Sequence, residues 1–203
     1  MGKTFRYIIL ALLVVTAILS LFGCSEETLE ISEDEAFAVL SDLVPKSYEI
    51  NRILFGEGLP AVDEAYTETK NGTAYFDVKD GSGYSSKAEI KAAAEKVYSK
   101  RYLDGVYVYA FEGVALESGE ENLDLMISPR YTEIGGKLKV DINSEHVAIR
   151  NKLTVISSEI VKKTAEYVKL NAVCREDGND AEFQVTMLIT LENNVWLLDG
   201  PTY

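Results

Sequence analysis

The spacing of apolar and polar positions changes period about two-thirds of the way along the chain, separating a helical first part from a β-rich second part. Ser32-Glu33-Asp34-Glu35 sets a hydroxyl three positions before a carboxylate. In that arrangement the serine caps the N3 amide and the glutamate reaches back to the cap. Phe37, Leu40, Val44, Ile50, Ile53 and Leu54 follow with helical spacing,. Pro45 has no N–H to give and predicts a kink or a restart. Gly56-Glu57-Gly58, ahead of Leu59-Pro60, predicts the stop. Thr73 to Val78 reads as a short strand after an Asn71-Gly72 turn. Ser86-Lys87-Ala88-Glu89 repeats the capping pattern and opens a helix to about Lys100, with Ile90, Ala93, Ala94 and Val97 on its apolar stripe,.

Val106 to Phe111 fits two periods. Its Val-Tyr-Val-Tyr-Ala-Phe run favours a strand, while Tyr102, Val106, Tyr109 and Gly113 share one helical face,. Glu117 to Asp124 reads as an acidic, glycine-containing loop. From Arg130 onward the period is two. Glu133 to Leu138 predicts a hairpin about Gly135-Gly136. Leu153–Ser157, Thr164–Arg175 and Ala181–Leu191 read as strands, and Asn193-Asn194 turns the chain into Val195–Leu198. Helices followed by consecutive antiparallel strands predict an α+β fold, with N-terminal helices packed on a curved antiparallel sheet and one domain over residues 32–203.

The first residues change the picture from shape to location. Lys3 and Arg6 precede an uncharged run from Tyr7 to Phe22, shorter than the roughly 20 residues a spanning helix needs,. That layout predicts a signal peptide over residues 1–23. Leu21-Phe22-Gly23-Cys24 resembles the lipobox of bacterial lipoproteins: an aliphatic residue, then a small one, directly before the cysteine. The resemblance implies that Cys24 becomes the lipidated N-terminus, that residues 24–31 form a polar tether, and that the protein sits on the extracytoplasmic face of the cell membrane. The competing reading keeps the N-terminal helix uncleaved and makes Cys24 a bystander. Lipidation leaves Cys174 as a single thiol. It alternates with Val168, Leu170 and Ala172, which predicts a buried, inert strand cysteine,.

Composition mainly excludes. A net charge of −13 argues against nucleic-acid binding through a basic face,. Two cysteines and one histidine are too few for a Cys/His zinc site, and neither a metal nor a cofactor is expected,. No Gly-x-Ser-x-Gly or Ser-x-x-Lys motif occurs, and His146 lies in a polar stretch that reads as a surface turn,. Glu117, Glu120, Glu121 and Asp124 read as a solvated charge run. No catalytic constellation stands out. The remaining candidates are aromatic: Tyr98, Tyr102, Tyr107, Tyr109, Tyr131 and Trp196, with Arg130 as a polar anchor. Arg130, Tyr131, Tyr98 and Trp196 are the candidate ligand pocket. The alternative is that these rings fill the core.

Leu59-Pro60-Ala61-Val62-Asp63, Tyr98, Pro129 to Leu138, and Trp196 to Tyr203 together resemble small lipoproteins of clostridial-type Firmicutes whose mature part is a nuclear-transport-factor-2-like, cystatin-like cone. The resemblance implies a helix over Val106 to Ala115 and a lipid-anchored, extracytoplasmic binding module, partnered by the membrane and by a cell-envelope protein or small ligand. The order of helix, Tyr-rich segment and Gly-Lys-Leu hairpin also resembles, more distantly, the secreted DL-endopeptidase inhibitor family. That implies an alternative: an interaction module that inhibits or regulates a cell-wall hydrolase.

Overall fold

The computed structural model describes residues 28–70, 72–116, 125–144 and 147–203. Cys24, the acidic run from Glu117 to Asp124, and His146 lie outside the described residues.

Helix α1 spans Glu33–Leu54, capped by the Ser32 hydroxyl, which accepts the Glu35 amide at 3.2 Å. The reciprocal half of the predicted capping box is absent. Glu35 instead accepts from the Trp196 indole at 3.3 Å, while Glu33 accepts the Ile160 amide at 3.0 Å. Both carboxylates tie the helix start to strands and leave acidic charge at its positive end. The helix runs through Pro45 as one element, so the predicted restart does not occur. The lost hydrogen bond is outweighed by burial on both sides of the proline, at Leu40, Leu43, Val44, Ser47 and Ile50,. Phe37 falls off this stripe and is 37% exposed.

The α+β class expected from the pattern holds, with strands forming two four-stranded antiparallel sheets and a two-stranded ladder among the described residues. One sheet joins β1 (Ala61–Lys70), β2 (Thr73–Val78), β5 (Tyr131–Ile134) and β6 (Lys137–Val140) in the order β1-β2-β6-β5. The other joins β7 (Leu153–Lys163), β8 (Val168–Glu176), β9 (Glu182–Glu192) and β10 (Val195–Leu198) in the order β10-β9-β8-β7. The small ladder pairs β3 (Val114–Leu116) with β4 (Leu125–Ile127). Gly135-Gly136 turns β5 into β6 with both φ angles positive (60° and 78°), the conformation a two-residue type I′ hairpin requires,. Asn193 (51°) and Asn194 (63°) do the same between β9 and β10.

Two helical predictions are adjusted. The helix opened by Ser86 ends at Ala94 (α2, Lys87–Ala94), and a separate α3 (Lys100–Tyr107) starts from its own cap, Ser99. The break is tertiary in origin: the Ser99 amide bonds Leu198 O (2.8 Å) and the Leu198 amide bonds Val97 O (2.9 Å), an extended pairing that a continuous helix could not make. From Val108 to Glu112 the chain widens into a π-type turn, closed by Gly113 N bonding Val108 O at 2.7 Å,. The implied helix over Val106 to Ala115 therefore ends at Glu112, and Val114 opens β3.

Helix α1 packs against both edge strands of the second sheet, β7 and β10. Val168, Leu170, Ala172 and Cys174 on β8, and Met187 and Ile189 on β9, are buried in one continuous core with α1. Tyr131, Leu138 and Val140 bring the first sheet into the same core. Cys174 is fully buried and free, as its register predicted, and burial pushes its thiol pKa up.

The end of α1 is held by β5. The Tyr131 hydroxyl donates to Ile53 O and accepts from the Leu59 amide, each at 2.9 Å, and Arg130 donates to Gly56 O. Gly58, at φ +80°, lies so close that a Cβ there would sit 2.8 Å from the Arg130 guanidinium,. Tyr131→Phe leaves Ile53 C=O and Leu59 N–H buried without partners. We expect it to lower stability by about 1–3 kcal/mol, read from the urea unfolding midpoint; a loss below about 0.5 kcal/mol would mean the clasp is incidental.

Candidate functional site

Each of the four residues picked out as a candidate pocket bonds α1 or the turn that ends it. Tyr98 is 1% exposed and donates to Asn51 Oδ1 at 2.7 Å. Asn51 Nδ2 donates to Thr202 Oγ1 (2.9 Å), Thr202 lies 2.7 Å from Ser47 Oγ, and Ser47 donates to Val44 O (2.7 Å). Because the Ser47 proton is committed to Val44, Thr202 is the donor to Ser47, and the chain of donors closes with each buried hydroxyl used. Burial pushes the Tyr98 hydroxyl pKa up to about 12, so it stays protonated and a donor,. Tyr131 and Arg130 hold the far end of the helix, and Trp196 holds its beginning through Glu35.

None of the four lines the concavity of about 620 Å³ beside β2 and β6. Of the other rings, Tyr102 packs on Tyr98 at 5.0 Å between centroids, Tyr109 is 62% exposed, and Tyr107 lines a smaller hollow of about 270 Å³ beside Lys91 and Glu95. The Tyr107 hydroxyl donates to Lys91 O at 3.2 Å, and the Lys91 ammonium sits 4.4 Å from its ring centre,. Tyr102 and Tyr107 are thus held in packing contacts, while Tyr109 faces solvent.

The concavity of about 620 Å³ lies where β2 and β6 meet the loop that leads into α2. Asp77, Lys79, Asp80, Ser82, Tyr84, Ser85, Glu89 and Lys137 supply its polar lining, with Val62, Val78 and Leu138 at its base. Its walls follow from local chemistry. Ser86 caps α2 through the Glu89 amide (3.2 Å), and Glu89 accepts from the Ser85 amide (2.6 Å) and hydroxyl (2.9 Å). Glu89 thus reaches back to the helix start as the predicted capping box requires, and it also bonds Ser85, one residue ahead of the cap. The Lys87 amide at the helix start donates to Glu133 of β5 at 2.9 Å, fixing α2 against the first sheet,.

Asp77 is the electrostatic centre of the groove. Lys139, nearly buried and directly across the β2–β6 ladder, bonds one of its oxygens at 2.6 Å, and Lys137 approaches the other at 3.3 Å. The Lys139 hydrogen bond foremost, with Lys137 adding to it, lowers the Asp77 pKa. Hydrogen bonds from Ser85 lower that of Glu89. A general acid needs a raised carboxyl pKa, so both groups are shifted the wrong way for proton donation near neutrality. Among the described residues no cluster of His, Cys, Asp and Glu could hold a metal ion, and no helix is long and apolar enough to cross a membrane. The groove offers fixed charges of both signs, hydroxyls, and a Tyr84 ring on an open surface,.

Nothing in the sequence marked this groove. Gly81-Ser82-Gly83 reads as a flexible turn, and Asp77 and Lys139 are far apart in the chain and meet only through the strand register. No protein-family model matches the chain, and comparison with curated proteins finds no match.

The Asp77 shift has a pH consequence. Because its folded pKa lies below the unfolded value of about 3.9, its stabilising contribution is complete above that value and is lost as pH falls through the folded pKa. Asp77→Asn should therefore be less stable than the native protein at pH 7, with the gap closing only below about pH 4. Urea midpoints at pH 7 and pH 3 test this, and a gap unchanged between them would contradict the ion pairing.

Proposed function

We propose that this chain is a lipid-anchored, extracytoplasmic module of a bacterial cell envelope that acts by binding rather than by catalysis. The observation that carries the reading is the sequence around Cys24: a positive start, an apolar run, then Leu21-Phe22-Gly23-Cys24 followed by a polar tether,. The groove around Asp77 supports the binding half, because its shifted carboxylates are held ionised by lysines and serines of the protein itself. The long helix across a four-stranded antiparallel sheet supports the cystatin-like likeness. The ligand or partner belongs to the envelope, and the groove rather than the aromatic cluster is where it meets the protein.

A second reading, an interaction module that inhibits or regulates a cell-wall hydrolase, is favoured by the acidity of the chain. A net charge of −13, more negative still once Lys3 and Arg6 are removed, would steer it toward a basic partner,.

The lipid anchor is tested by expressing the full-length chain in a bacterial host with an alkyne fatty acid and fractionating the cells. The native chain should carry the label and stay with membranes. Cys24→Ala should lose the label and should no longer be matured at residue 24. Equal labelling and equal membrane retention of Cys24→Ala would rule the anchor out.

A further inference from the structure

The tether is short, and the place where it joins the domain is defined. The Leu29 amide donates to Thr164 O at 2.8 Å, in the turn between β7 and β8, and Lys163 Nζ donates to Ile31 O at 2.6 Å. Ile31 is buried, and from Glu33 the chain is helix α1, itself bonded to Ile160 of β7. The chain is thus part of the domain from Leu29 onward. From Cys24 to Leu29 a fully extended chain reaches at most about 17 Å. A domain whose long helix alone is about 33 Å in length cannot turn freely on so short a lead.

The antiparallel order of the second sheet fixes what else lies at that end. The turn from β9 to β10 sits beside the turn from β7 to β8, since Val168 pairs with Ile189 and Thr190 Oγ1 bonds Glu166 O. Exposed apolar side chains gather around these turns: Val195 (55%) and Leu191 (38%) flank Asn193-Asn194, and Val161 (49%) lies near the end of β7. The other end of α1 meets Arg130 and Tyr131 of the first sheet, and Tyr84 of the groove feels the charge of Glu49 in the last third of that helix. The turn between β8 and β9, Asp177 to Asp180, also lies a full strand length from the tether.

Resting on the lipid-anchor reading, we infer that the membrane which holds Cys24 faces the end formed by the β7–β8 and β9–β10 turns, with Val161, Leu191 and Val195 at the lipid surface. The groove around Asp77 and the Gly135-Gly136 hairpin are then carried away from the bilayer on the α1 strut. The face that meets the envelope partner is the groove, and the end bearing Val161, Leu191 and Val195 serves the membrane.

Single-cysteine labelling of the full-length lipidated protein tests this. Cys174 is buried and Cys24 is consumed by the lipid, so Ala165→Cys, Asp180→Cys and Asp80→Cys each introduce one reactive thiol, on exposed turns. Each fluorescently labelled variant is reconstituted into phosphatidylglycerol/phosphatidylethanolamine vesicles that contain a headgroup-labelled acceptor lipid. Energy transfer from position 165 should exceed that from positions 180 and 80 several-fold. Equal transfer from all three, or stronger transfer from 180 or 80, overturns the orientation. Vesicle flotation of the native chain beside Cys24→Ala keeps the two ideas apart: if both float equally, the anchor reading has failed, whereas flotation only of the native chain with the wrong transfer order sinks the orientation alone.

Discussion

Helix α1 is the member on which the rest of this structure depends. Its apolar stripe is buried against the second sheet, its start is bonded to β7 and β10, and its end is clasped by β5 of the first sheet. Between those ends, Ser47 and Asn51 on α1 reach Tyr98 and Thr202, just after β10, through a closed set of hydroxyl and amide hydrogen bonds. Buried polar groups left unpaired are expensive, so a network in which each hydroxyl proton is committed ties together segments that are far apart in sequence. Among the described residues the two sheets share no strand; they are joined through this helix and the core around it, and by the α2–α3 segment, which pairs with Leu198 and bonds Glu133.

That arrangement explains why the residues most conspicuous in the sequence hold the helix rather than line the groove. A buried arginine, a tryptophan and two tyrosines near turns suggest a ligand pocket, and the same residue types are what a protein uses to satisfy helix ends while burying large surfaces. Arg130 meets α1 where the helix dipole is negative, the favourable end for a cation. The groove around Asp77 is built from common residues, lysine, aspartate and serine. Its character comes from register and capping rather than from a motif.

Legibility followed the range of the interaction. The Gly135-Gly136 and Asn193-Asn194 turns, the Ser32 and Ser86 caps, β2, β9 and β10 could be read directly, because a turn or a cap is decided by a few neighbouring residues. β7 instead runs on from the expected end at Ser157 to Lys163, and Thr164 to Tyr167, expected as the start of a strand, is the turn into β8. Cys174 could be read because alternation assigns a face. The break at Tyr98-Ser99 could not, since Ala93 to Lys100 is locally a good helix and gives way only to pairing with Leu198. β1 was missed because an acidic run with few apolar positions gains its strand from β2. Pro45 shows the opposite case: a local breaker sits inside one continuous helix where burial on both sides holds it together,.

The central claim is that α1 makes one cooperative unit of two sheets that share no strand. Native-state hydrogen exchange on the soluble 25–203 chain measures this most directly. The account predicts that the most protected amides of α1, of β5–β6 and of β8–β9 exchange through a common opening, with the same free energy and the same dependence on denaturant. If β5 and β6 instead lose protection in an opening that leaves α1 and β8–β9 intact, the sheets are independent and α1 does not unite them.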